Sequence, residues 1–128
     1  FSNAFASLYA NKGTVLAEQM NFDAALDAYN RSLELNNENC ITFSSMAGVY
    51  YVQGKYNLAI NNYNKSIQYK SSGICGTAKD YSFRGTSHEL LGNYENALAD
   101  YNQALSIDPT FQYAIEGKTR VEALLTSS

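Results

Sequence analysis

At 128 residues the chain is long enough for one domain with a buried core, and its composition, 45% hydrophobic and 16% charged, is that of a globular protein. No apolar run approaches the roughly 20 residues needed to cross a bilayer, and a net charge of −3 without a basic cluster removes the electrostatic footprint of nucleic-acid binding. Two cysteines and one histidine, His88, support neither a disulfide framework nor a zinc site.

Taken in order, residues 1–5 read as a leader, because Ser2-Asn3-Ala4 has the look of an expression-tag remnant. From there the chain repeats itself. DAALDAYNRSLEL from Asp23, NLAINNYNKSIQY from Asn57 and ENALADYNQALSI from Glu95 align, with Ala25, Ala59 and Ala97 at intervals of 34 and 38 residues. The four extra residues fall in 74–77, so the units run 6–39, 40–73 and 78–111. In the last of these, Tyr94, Ala97, Tyr101 and Leu105 form one helical face, and Asp108-Pro109 ends the helix. Thr77 followed by Asp80 has the spacing of a helix N-cap. Residues 112–128 read as one more helix with a tail, with Ala114, Ile115, Val121, Leu124 and Leu125 apolar. Cys40 and Cys75 lie near the starts of neighbouring units. Free thiols in a reducing, cytoplasmic compartment are the simpler reading, and a bridge stays open if the insertion folds back.

These units resemble the tetratricopeptide repeat, a 34-residue helix-turn-helix that stacks into a right-handed superhelix. The matching positions are the small residues Gly13, Ala47 and Gly85; the turn residues Gly54-Tyr56 and Gly92-Tyr94; Tyr29, Tyr63 and Tyr101; and Ser32, Ser66 and Ala104. Met20 stands where the first turn should have Gly, and only the third unit keeps the closing proline, Pro109. The resemblance implies an all-α solenoid of about seven helices, three repeats and a capping helix. Small residues let paired helices approach to about 8–10 Å, and the tyrosines fill the space between units.

Signals for chemistry are weak. Gly117-Lys118-Thr119 has the end of a phosphate loop, but Gln112 stands where the first Gly belongs. Ser87 and His88 are adjacent on a helix and point about 100° apart, so they are no catalytic pair. His88 reads as a core or half-buried residue. The triplets Asn30-Arg31-Ser32 and Asn64-Lys65-Ser66 follow from repeat duplication more simply than from glycosylation. No catalytic residue, metal or cofactor is expected.

In the family, the first helix of each unit lines a concave face that selects a protein or peptide. Carried over, that groove holds Thr14 from the first unit, Ile41, Ser44, Ser45, Gly48 and Tyr51 from the second, Lys79, Phe83 and Thr86 from the third, and Tyr113 from the capping helix. The subclass that clamps chaperone C-terminal carboxylates uses Lys, Asn, Asn, Lys and Arg, where this chain has Ala10, Thr14, Ser45, Lys79 and Phe83. One match in five argues against such a clamp. The resemblance thus implies a non-catalytic adaptor or scaffold. Its alternatives are weak self-association as an assembly element, or a regulatory or spacer domain in a larger protein.

Overall fold

The computed structural model describes residues 2–71 and 73–127, the side chain of Ser2 apart. Seven helices follow the periodicity of the sequence: α1 (Ser2–Glu18), α2 (Phe22–Leu35), α3 (Cys40–Val52), α4 (Tyr56–Gln68), α5 (Ala78–Leu90), α6 (Tyr94–Ile107) and α7 (Gln112–Thr126). α1 runs through residues 2–5, the stretch read as a leader, and the Asn36 amide donates to Asn3 Oδ1 at 3.0 Å. Phe1 lies outside the described residues.

One turn geometry builds all three hairpins. Met20, Gly54 and Gly92 take φ of 61°, 76° and 83°, and the next residue's N–H reaches back to close the preceding helix, Asn21 to Leu16, Lys55 to Tyr50 and Asn93 to His88, at 2.8–2.9 Å. A left-handed residue is required there, which two units meet with Gly and the first with Met. The expected cap holds, with Thr77 accepting the N–H of Asp80, and Asn39 caps α3 by accepting the N–H groups of Ile41 and Thr42.

The hairpins α1–α2, α3–α4 and α5–α6 stack in a row, with α7 closing the end against α5 and α6. Small residues decide how close they come. Ala25, Ala47, Ala59 and Ala97 have no exposed surface, and a Cβ placed on Gly13 would lie 2.7 Å from the Tyr29 ring. Tyr101 is held from two sides, by Gly85 within its own hairpin and by Gly117 of α7. The residues with phosphate-loop flavour are therefore a packing seam: Gly117 is buried against Tyr101.

Buried polar groups join the units where the apolar contacts end. Ser32 donates to the Ala6 carbonyl at 2.7 Å and meets the Thr42 hydroxyl at 2.9 Å, linking α2 to α1 and α3. Arg84 forks onto Asp100 at 2.7 and 2.9 Å and reaches Asn64 at 2.9 Å, tying α5 to α6 and α4. The expectation of free thiols fails. The loop after α4 brings Cys75 back over the start of α3, and Cys40 and Cys75 are disulfide-bonded with their Cα atoms 6.2 Å apart.

Candidate functional site

The helices α1, α3 and α5 present one side to a shared concavity, and the sequence places mostly small side chains on it. A cavity of about 440 Å³ opens there. Seven of the ten expected groove residues line it: Thr14, Ser44, Ser45, Gly48, Tyr51, Lys79 and Phe83. Ala17 and Val52 complete the face as the repeat phase implies. Glu18, Phe22, Tyr29, Val49, Tyr63 and Asp80 also reach it, and of these Phe22, Tyr29 and Tyr63 were missed because α2 and α4 residues read as purely internal.

Ile41, Thr86 and Tyr113 do not line the cavity. Ile41 is half-exposed at the first turn of α3. Thr86 is buried, its hydroxyl 2.8 Å from that of Tyr101 and 3.3 Å from that of Tyr113. Tyr113 crosses from α7 to put its hydroxyl 3.2 Å from that of Tyr51, with Phe83 between them at ring separations of 4.9 and 5.4 Å. The three aromatics thus fill the α5–α7 half of the concave face with one another. What remains open is the half between α1 and α5.

Comparing the units shows why that half is open. Thr14 meets the hydroxyl of Tyr29 at 3.0 Å, and Thr86 meets that of Tyr101. The middle unit has Gly48 at this position, and the Tyr63 hydroxyl has no hydrogen-bond partner among the described residues. A Cβ built on Gly48 would meet nothing within 4 Å. The absent threonine is therefore space, floored by a buried tyrosine. A single glycine carried too little signal for this to be legible without the partner tyrosines.

The electrostatics of the cavity are nearly balanced. Lys79 is exposed at one edge and Glu18 at another. Asp80 is already engaged, accepting from Ser44 at 2.7 Å, from the Gly76 N–H at 3.0 Å and from Ser66 at 3.4 Å. Burial pushes the Tyr51 and Tyr63 hydroxyls well above the ordinary phenol range, reinforced at Tyr51 by Tyr113 and at Tyr63 by Asp80. Both stay neutral donors or acceptors. Among the described residues no group of three or more His, Cys, Asp or Glu side chains is placed to hold a metal ion.

A second network secures the closed half. Arg120 pairs with Glu89 through two nitrogens, and Tyr101 donates to Glu89 at 2.7 Å. Burial would raise the Glu89 carboxyl, but the bonds from Arg120 and Tyr101 outweigh it and hold it below its usual value. His88, half-buried on the other side of α5, is pushed down by burial, opposed by Asp100 and assisted by Arg84, and its Nδ1 has no partner among the described residues.

Comparison with known proteins agrees with this geometry. The model of the tetratricopeptide repeat matches residues 6–39 and 78–111, the first and third units and more than half of the chain. The TPR repeat-containing thioredoxin TDX of Arabidopsis thaliana is 32% identical over 87 residues, 68% of this chain and 22% of that protein. Heat shock protein STI1 of Saccharomyces cerevisiae is 25% identical over 117 residues, 91% of this chain and 19% of that one. The chain spans about a fifth of the length of these two relatives. Among solved structures, the first TPR domain of Spaghetti (RPAP3), bound to the HSP90 peptide SRMEEVD, superposes with a TM-score of 0.89 at 23% identity, covering 97% of this chain and 95% of that one. The protein belongs to the tetratricopeptide repeat family, whose repeats are in general protein–protein interaction modules.

Proposed function

We propose that this protein is a non-catalytic adaptor whose cavity between α1, α3 and α5 receives one bulky apolar side chain of an extended peptide or a short helix. The gap above Gly48 carries this reading. It is a concave, mostly apolar space with a few convergent polar groups, which is how ligand sites are built. A helix surface that served only as a spacer would have no reason to leave Tyr63 without the threonine its counterparts have.

The ligand is not a chaperone-type acidic C-terminus. Of the five clamp positions only Lys79 is cationic, and Glu18 lines the same cavity. A terminal carboxylate desolvated there would lack partners, at a cost of several kcal/mol. The HSP90 peptide belongs to the RPAP3 domain, and at 23% identity the shared property is the fold. Titration with the peptide SRMEEVD should give no binding heat, and saturable binding would reject this part of the reading.

Gly48→Leu tests the cavity directly, because the side chain enters open space instead of the core. The variant should be at least as stable as the parent, since Leu is a better helix former than Gly by about 1 kcal/mol. Used as paired baits, the parent should retain a partner that Gly48→Leu loses. Equal recovery by both would remove the groove as the working surface. A second reading, self-assembly, is favoured by the outer face of α1, where Leu8 and Val15 are 60% and 52% exposed. Sedimentation showing mass that grows with concentration, abolished by Leu8→Glu, would establish it.

A further inference from the structure

The disulfide lies outside the groove. We propose that Cys40 and Cys75 form a thiol-exchange site for a dithiol reductant, and that its redox state sets the α4–α5 loop and, through Asp80, one wall of the groove. Three observations support it. Cys75 borders a cleft of about 590 Å³, shared with Lys70, Tyr81 and Gln103, and since both cysteines are buried this cleft is the side from which a dithiol would have to reach the sulfur, beside a cationic side chain. Cys40 is the first residue of α3, where the helix dipole favours a negative charge. And Asp80 accepts both the Gly76 N–H of the loop and the Ser44 hydroxyl of the cavity.

The exchange then has a direction. A thiolate of the dithiol attacks Cys75 Sγ and forms a mixed disulfide, the Cys40–Cys75 bond breaks, and the electron pair leaves on Cys40 Sγ at the helix N-terminus. The second thiol of the reductant attacks its own sulfur in that mixed disulfide and releases Cys75. The bridge is reduced by two electrons, the dithiol becomes a disulfide, and its two protons end on the two cysteines. In a reducing compartment, bridges of this kind are transient and regulatory instead of structural.

Without the bridge the loop loses its covalent tie to α3. Gly73 and Gly76, both at positive φ, leave its backbone free to rearrange, and Gly76 N–H to Asp80 becomes the bond that decides its position. If that bond opens, Asp80 Oδ2 keeps only Ser66, at 3.4 Å, and the carboxylate that Ser44 holds through Oδ1 is less fixed. The loop's response is independent of any ligand, whereas its effect on binding rests on the groove reading above.

The test uses amide hydrogen exchange on the protein, air-oxidised and again after dithiothreitol. The oxidised form should show no titratable thiol, and reduction should speed exchange at Gly76 by about tenfold or more while α6 and α7 are unchanged. Ser44 resonances should shift in the same step. Cys40→Ser/Cys75→Ser should exchange at the reduced rate with or without the reductant. Two free thiols after air oxidation, or equal Gly76 exchange in both forms, would overturn the proposal. A faster loop with unmoved Ser44 resonances would overturn the coupling to the groove. None of these measurements needs a groove ligand, so their failure is distinct from failure of the adaptor reading.

Discussion

The two ends of the stack are built from the same repeat and finished differently. At the α5–α7 end, Tyr101 is pressed between Gly85 and Gly117, its hydroxyl meets Thr86 and Glu89, and Arg120 ties the cap to α5. At the α1–α3 end, the turn holds a left-handed Met20, the outer face of α1 stays exposed, and Gly48 leaves a gap. The difference teaches that the repeat phase specifies where helices lie, while a few small or polar residues decide which half is fixed and which can accept a ligand.

The largest effect should come from two glycines with opposite surroundings. A Cβ on Gly117 would collide with the Tyr101 ring, so Gly117→Ala should cost about 2–3 kcal/mol after overpacking exceeds the gain in helix propensity. Gly48→Ala should instead stabilise by up to about 1 kcal/mol. Urea midpoints of the pair check the contrast, and similar midpoints would mean that Tyr101 is not clamped. Next come two tyrosines. Tyr101→Phe strips Glu89 and Thr86 of a buried partner and should cost about 1–2 kcal/mol, whereas Tyr63→Phe removes a hydroxyl without a protein partner and should stay within about 0.5 kcal/mol. Equal losses would break the distinction between a fixed and an open end.

Much of the scaffold was legible in the sequence, because periodicity and steric size speak directly: the three units, the stop at Asp108-Pro109, the Thr77 cap and the small residues at Gly13, Ala47 and Gly85. Seven of the ten residues carried over from the family resemblance line the cavity. What escaped depends on distances between units. Tyr113 reaches Tyr51 across 62 positions, and no local pattern reports that two hydroxyls meet there. The disulfide escaped for a similar reason, since the path of the insertion at 74–77 decides whether Cys75 faces Cys40. Gly117 carried a misleading local signal, and its role became visible only against Tyr101.

Met20 offers a smaller and opposite test. It is the one non-glycine at positive φ among the described residues, at a position the other units fill with Gly54 and Gly92. Its left-handed backbone costs on the order of 1 kcal/mol, and its side chain is exposed, so little packing is lost on removal. Met20→Gly should therefore raise stability by about 1 kcal/mol and bring the two ends closer in hydrogen-exchange protection. A variant less stable than the parent would show that Met20 holds contacts that outweigh the strain.

The smallest effect separates two contacts of the fixed end by pH. Burial lowers the His88 pKa in the fold, so between that value and the ordinary 6.5 the unfolded chain binds more protons than the native one. The neutral-His88 contribution is full above 6.5 and declines as pH falls below it. Glu89 is also lowered, but from 4.5, so its contribution persists through the His88 window and is lost only at more acid pH. Acid should therefore loosen the α5–α6 contact first through His88, and the Arg120–Glu89 tie to the cap second. As pH falls below about 6.5 the parent should lose more stability than His88→Gln, and the two curves should run parallel above it. Curves parallel throughout would mean that His88 titrates alike folded and unfolded, and that acid enters this end through Glu89 instead.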